Sequence, residues 1–325
     1  MPSSTTHRGV GHRADPPLSA LLLAFASIYL IWGSTYLAIR FAIETMPPLG
    51  MAAFRFLIAG LLLYAWSRLR GVPAPTRAQW KSGAISGTLL LVGGNGAVVV
   101  AEQWVPSGLV ALIVATVPLW MVILDAVFGS RSRPSKRATV GLLGGFAGVG
   151  ILAGSPGVGG GGPQELFGAV LVLGGSLCWA IGSLASRYAK DPPRPRMLVA
   201  TQMLSGSAVF AVLALVFQEP SGFAFAQVSA RSWWAFVYLI IFGALIGYAA
   251  YVWLLTVVPP SRAGTYAYVN PVVAMFLGWA FANEPLSLRS VMAAAFILAS
   301  VVVITTEGSP TSRRTVKQAE VKKVT

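Results

Sequence analysis

From Leu18 to Thr306 the chain is a succession of apolar runs, each near twenty residues long and closed off by a short polar or basic gap. An α-helix needs about 20 residues to cross roughly 30 Å of hydrocarbon. The runs cover about 18–42, 48–67, 80–101, 107–128 and 137–154, then 165–189, 196–217, 233–258, 261–281 and 286–306. A backbone in lipid must satisfy its own hydrogen bonds, which predicts helix; a membrane β-barrel would show short alternating segments instead. The expected fold class is therefore all-α, a polytopic membrane protein of about ten transmembrane helices. Composition agrees. Charged residues make up 10% of the chain and hydrophobic ones 55%, with mean hydropathy +0.71, whereas soluble proteins carry about 25% charged residues.

Two stretches echo each other without a gap. Trp32-Gly33-Ser34-Thr35-Tyr36-Leu37-Ala38-Ile39-Arg40-Phe41-Ala42 lies over Trp179-Ala180-Ile181-Gly182-Ser183-Leu184-Ala185-Ser186-Arg187-Tyr188-Ala189, an offset of 147 residues (179 minus 32). Later, Val105-Pro106 and Pro118 correspond to Val258-Pro259 and Pro271 at an offset of 153 (259 minus 106). One membrane unit is used twice. Residues 18–154 form the first repeat, 155–164 a Gly-rich linker and 165–306 the second repeat, between tails 1–17 and 307–325.

The basic residues set the orientation. With the N-terminus inside, the inner gaps hold twenty of the 24 Lys and Arg residues, and the outer gaps hold only Arg40, Arg231 and Arg289. This bias places both termini in the cytoplasm and supports an even number of crossings. Five helices per repeat then make the second copy enter from the opposite side. Inverted repeats of this kind are a transporter architecture, with the binding site expected near the midplane between the halves. A signal peptide is the competing reading of the first run, since Arg8 and Arg13 precede it. Signal h-regions run only about 7–15 residues, and part of this run is repeated mid-chain.

Other chemistries find little support. The net charge of +14 suggests nucleic acid, but the basic residues lie in the gaps between apolar runs and form no basic module. The lone Cys178 and the two tail histidines, His7 and His12, offer no disulfide, no metal set and no catalytic set. Gly157, Gly159 and Gly162 spell G-x-G-x-x-G, but without a strand before and a helix starting on it this reads as a linker. No catalytic residues, metal or cofactor are expected, and the chain is not read as an enzyme.

The candidate site residues are polar or aromatic groups inside apolar runs. Trp32, Thr35, Tyr36 and Arg40 share one helical stripe, as do Trp179, Ser183, Ser186 and Arg187. Such stripes face either a wet cavity or a packing neighbour. Arg55 lies about seven residues into its run, where an unpaired guanidinium costs about 2 kcal/mol or more. It is expected to orient a substrate carboxylate or phosphate; the alternative is an internal pair with Glu102 or Glu44. Its repeat counterpart is Gln202. Asn95, in Gly93-Gly94-Asn95-Gly96, and Asn270, before the helix-breaking Pro271, add polar groups, and Tyr248, Tyr251, Tyr266 and Tyr268 make the second half aromatic. Glu102, Asp125 and Glu284 are candidate coupling residues, although all three read as near helix ends. A carboxylate-poor midplane weakens proton antiport and keeps facilitated diffusion open. Gly83/Gly87, Gly141/Gly145, Gly144/Gly148 and Gly243/Gly247 are small-residue pairs read as packing, with a homodimer contact as the alternative for the 137–154 set.

With these motifs in order, the chain resembles bacterial EamA-type members of the drug/metabolite transporter superfamily. The resemblance covers about 18–306. It rests on Trp32-Gly33-Ser34 with Arg40, on Arg55-Phe56, on Ser107-Gly108-Leu109-Val110-Ala111-Leu112 leading to Pro118, on Trp179-Ala180, and on Ala263, Pro271 and Asn283-Glu284-Pro285-Leu286. It implies ten helices in two inverted repeats and export of small metabolites such as amino acids, or of toxic compounds. The chain departs from the pattern after the fourth helix. There the family often carries a Glu, and Gly129-Ser130-Arg131-Ser132-Arg133-Pro134 has none.

The resulting expectation is an inner-membrane transporter working by alternating access on an amino-acid-like metabolite. Its partners are the substrate and the bilayer, not nucleic acid. Export of drug-like cations is the alternative, and a membrane enzyme or receptor is the other class.

Overall fold

The structure, a computed structural model, describes residues 16–128, 136–153, 162–189, 192–219, 221, 223–258 and 263–305. Among them every regular element is helical. Six helices are long and apolar enough to cross a membrane: α1 (Leu18–Ala42), α2 (Pro48–Leu69), α3 (Arg77–Ala101), α7 (Pro163–Arg187), α8 (Pro195–Val216) and α9 (Ala230–Val257). The shorter helices are α4 (Ser107–Val114), α5 (Val117–Phe128), α6 (Lys136–Ala153), α10 (Tyr266–Ala282) and α11 (Leu288–Thr305). The protein is a polytopic all-helical bundle. Most of the Gly-rich linker, both distal tails and the Gly129–Pro134 segment lie outside the described residues.

Local chemistry explains where the elements depart from the expected runs. The run 107–128 is two helices, not one. Pro118 has no N–H to offer the carbonyl of Val114 and disfavours helical backbone at the residue before it, and Thr116 closes a turn by donating from N and Oγ1 to Ile113 O at 3.0 and 2.7 Å. Helix α3 starts at Arg77, ahead of the expected residue 80, because Thr76 and Gln79 form a reciprocal capping box at 3.1 and 3.2 Å. Pro163 and Pro195 open α7 and α8 at their first turns, where a missing N–H costs nothing.

The two repeats interlock. Helix α2 packs along α8, α3 along α7 and α6 along α11. Between α2 and α8, Phe56 stacks on Phe210 at 5.9 Å and Ser207 Oγ donates to Ala53 O at 3.0 Å. Gly83 and Gly87 of α3 lie against Thr201 and Gln202 of α8, and Gly144 of α6 lies against Ser300 of α11. The Gly83/Gly87 pair and Gly144 thus pack within the bundle.

Equivalent contacts recur in the two halves. Arg40 on α1 donates through Nη1 to the carbonyl of Glu102, just past the end of α3. Its echo Arg187 on α7 donates through Nη1 to the carbonyls of Leu255 and Val258, at the end of α9, at 2.8 and 2.9 Å. Leu255 is the counterpart of Glu102 at the offset of 153. In each repeat an arginine from the first helix caps the orphan carbonyls of the third, the end a positive charge favours.

A second repeated device ties the second repeat to the first. Gln218 and Asn283 adopt left-handed backbone, with φ of 55° and 52°. Each turns the chain past its helix so that the next residue aims a carboxylate at another helix's N-terminus. Glu219 accepts from the N–H groups of Leu49 and Gly50 at 3.0 and 2.8 Å. Glu284 accepts from those of Ser107 and Gly108 at 2.8 and 3.2 Å. Both carboxylates satisfy free donors at the positive end of a helix. Both clasps lie at the end of the bundle where α2 and α4 begin.

Candidate functional site

Three helices change pitch at the centre of the bundle. Ser27–Ile31 in α1, Thr88–Asn95 in α3 and Leu239–Tyr248 in α9 are π-helical. Such wider turns re-aim side chains and loosen the backbone ladder, and they are frequent at functional sites. Residues of the second and third segments, and Trp32 directly after the first, line one cavity of about 60 Å³, enough for a few waters.

The walls come from both repeats. From α1 come Trp32, Thr35, Tyr36 and Ile39, and from α2 Arg55 and Phe56. Leu91, Gly94, Asn95 and Val98 follow from α3, and Ser176 and Trp179 from α7. Gly243 and Tyr248 come from α9, Tyr266 from α10, and Val114, Val117 and Gly175 from α4, α5 and α7. The aromatic side is a connected cluster. Trp32 meets Trp179 at 5.5 Å, Tyr251 at 5.0 Å and Tyr266 at 5.2 Å between ring centroids, and Trp179 meets Tyr251 at 5.5 Å. Two glycines of α9 make room for this arrangement. A Cβ on Gly247 would stand 2.6 Å from Trp32 Nε1, and one on Gly243 would stand 3.0 Å from Arg55 Nη2.

The polar side is under-satisfied. Arg55 is 3% exposed, and its Nε and Nη1 have no hydrogen-bond partner. Its guanidinium carbon lies 4.7 Å from the Phe56 ring centroid, a cation–π contact that offsets part of its desolvation. Asn95 Oδ1 is also buried without a partner. Glu44 pairs with Arg231 at 2.7 Å, so it is not the partner of Arg55. Glu102 is 0% exposed with both carboxylate oxygens unpartnered. Unpartnered buried donors and acceptors are rare and costly, and here a guanidinium and an amide oxygen share one wall.

The structure brings together eight of the residues singled out from sequence, namely Trp32, Thr35, Tyr36, Arg55, Asn95, Trp179, Tyr248 and Tyr266. Others lie behind them. Tyr251, 0% exposed, accepts from Trp179 Nε1 at 3.2 Å and pairs with Ser183 Oγ at 2.8 Å, bracing the indole from the rear. Gln202 is fully engaged: its Nε2 donates to Ser86 and Ser186 at 2.8 Å each, and its Oε1 accepts from Tyr248 OH at 2.9 Å. Asn270 donates its amide to the carbonyls of Ile28, Tyr29 and Tyr266 at 3.1, 3.0 and 3.3 Å, in the amide orientation that satisfies them. It therefore ties α10 to the π turn of α1. Glu284 is the helix clasp described above. Asp125 lies on α5, and its side chain, like that of Tyr268, is outside the described residues. Ser176 and Leu91 were missed. Ser176 lies three residues before Trp179, a spacing that puts the two on one face.

The comparisons with known proteins agree with this architecture. The EamA-like transporter family matches twice, over residues 18–154 and 166–306. The chain is 41% identical to the uncharacterized inner membrane transporter YedA of Escherichia coli, across 89% of this chain and 91% of that one. It is 26% identical to the uncharacterized transporter YvbV of Bacillus subtilis, across 89% and 92%. A solved crystal structure with 23% identity shares the fold over 89% of this chain and 98% of its own, with a TM-score of 0.63. Two family matches, one on each repeat, and these relatives make the chain a multi-pass membrane transporter belonging to the EamA-like transporter family.

Proposed function

We propose that the protein moves a small amino-acid-like metabolite outward across the inner membrane by alternating access, with Arg55 holding the substrate carboxylate. The observation that carries this reading is the buried guanidinium with two unpartnered donors in the wall of the central cavity. A carboxylate there would give the guanidinium the charged acceptor that it lacks. Trp32, Tyr36 and Trp179 would pack the rest of the substrate, with Ser183 and Tyr251 bracing the Trp179 ring.

In this reading α4 and α5 together make one crossing, so the chain crosses ten times as two inverted repeats of 18–154 and 165–306. Both termini are cytoplasmic, as the basic gaps support. The face-rich aromatic cluster favours a second reading, a drug-like cation held by cation–π contact.

Counterflow in proteoliposomes loaded with single labelled amino acids tests the first reading. Saturable exchange that Arg55→Ala abolishes and Arg55→Lys partly restores supports it. Exchange unaffected by Arg55→Ala, or uptake of quaternary ammonium dyes only, overturns it.

A further inference from the structure

Arg55 and Glu102 form an unequal pair of buried charges. Glu102 lies one residue past the end of α3, fully buried, and Arg55 is one helix away on α2. Between them, four side-chain polar atoms lack hydrogen bonds. The repeat comparison shows that the fold does not need these charges. The counterpart of Arg55 is Gln202, whose amide is fully bonded. The counterpart of Glu102 is Leu255, which offers Arg187 the same backbone carbonyl that Glu102 offers Arg40. The capping role thus uses only the carbonyl, and the carboxylate of Glu102 is surplus to it. Both surplus charges occur in the same half of the molecule.

The groups that act on Glu102 are Tyr36 and Arg40 from α1, Arg55 from α2 and Glu284 from the turn after α10. Arg40 is bound to a carbonyl, and Glu284 to the N-terminus of α4. Tyr36 and Arg55 line the cavity, and of the charged groups Arg55 alone is open to an occupant. Glu102 itself is not in the cavity wall, although Val98, one turn before it, is.

We propose that the Glu102 carboxyl is a proton-exchange site linked by charge to the anion site at Arg55. With the cavity empty, the Arg55 guanidinium adds to Arg40 as counter-charge of the Glu102 carboxylate, and of the two only Arg55 faces the cavity. When a substrate carboxylate neutralises Arg55, Glu102 takes a proton from water; when the anion leaves, the proton returns. One anion and one proton then bind together, which is reciprocal linkage between two sites. This rests on the reading of Arg55 as the anion site and adds to it a coupled ion.

The test uses the full chain in lipid and the infrared C=O stretch of protonated carboxyl groups, followed against pH. The band lost in Glu102→Gln, and likewise in Glu102→Leu, which installs the counterpart residue, belongs to Glu102. Arg55→Gln is expected to raise the proton affinity of that band about tenfold, the scale on which losing one nearby buried unit charge acts at an effective dielectric near 20. Arg55→Lys, which keeps the charge, is expected to leave the midpoint near wild type and controls for misfolding. A titrating band insensitive to Arg55→Gln, or no titrating band lost in either Glu102 variant, overturns the linkage. Adding a mixture of the twenty protein amino acids at fixed pH is expected to raise the band in the wild type and not in Arg55→Gln. If Arg55→Gln moves the midpoint but the mixture does nothing, the linkage stands and the amino-acid reading fails.

Discussion

Trp32 and Trp179, equivalent positions in the two repeats, meet edge to face with ring centroids 5.5 Å apart and planes at 84°. The internal symmetry of the chain therefore converges on a contact between its own two copies. Around that contact, Tyr251 and Tyr266 from the second repeat touch the first repeat's tryptophan. Each repeat supplies three aromatics to the wall, and the first supplies its charge, Arg55.

Removing either indole opens the cluster at its centre. Trp32→Ala and Trp179→Ala are each expected to cost toward the lower end of about 3–5 kcal/mol, because both rings are only partly buried. Trp179→Phe should cost less in stability but lose the hydrogen bond to Tyr251. Thermal unfolding of the purified chain in detergent, read beside counterflow, separates the two effects.

Gly247→Ala should reduce transport with little effect on expression. The added methyl meets Trp32 Nε1 at 2.6 Å, and a packed neighbour must move to admit it. About a tenfold loss of counterflow rate is expected, against a near-normal yield. A variant that transports like the wild type would show that Trp32 can swing aside freely.

Arg187 has a structural role, because its two carbonyl contacts lie at the end of α9 and away from the cavity wall. Arg187→Ala should lower stability by about 1–3 kcal/mol through lost charge-assisted bonds, and substrate affinity should not change. Arg187→Lys should recover part of the loss. The measurements are the thermal midpoint and the concentration dependence of exchange.

The clasp at Asn283 depends on backbone conformation as well as on charge. Asn283→Gly, which tolerates φ near 52°, should be neutral. Asn283→Val should cost about 1–2 kcal/mol or more, since a β-branched residue is strained there. Glu284→Gln should lose about 1–3 kcal/mol, because the amide keeps one acceptor oxygen where the carboxylate uses two, turns an N–H toward the other donor, and removes the charge that favours a helix N-terminus. Thermal unfolding of the three variants ranks them.

Much of this molecule is legible in its amino-acid order because lipid leaves the backbone few choices. The apolar runs, the basic gaps and the echo of Trp32–Ala42 in Trp179–Ala189 lead to an all-helical, duplicated membrane protein, and a solitary arginine inside an apolar run marks its own cost. The capping box at Thr76 and Gln79 needs only a spacing of three, but the apolar run begins at residue 80 and hides it. What one-dimensional patterns do not carry is which groups end up satisfied. Gln202 and Asn270 look like site residues in sequence, and the fold spends their hydrogen bonds on Ser86, Ser186, Tyr248 and the π turn of α1. Glu102 reads as a candidate coupling residue near a helix end, and packing buries its carboxylate without a hydrogen-bond partner. The π turns, which place Asn95 and Tyr248 at the cavity, leave no periodic trace in the sequence. The sequence by itself determined the class, the repeat and the residues costly to bury. Only the tertiary structure decided which of those costs were met by neighbours and which were left open at the cavity, because satisfaction of a buried polar group depends on atoms far away in the chain.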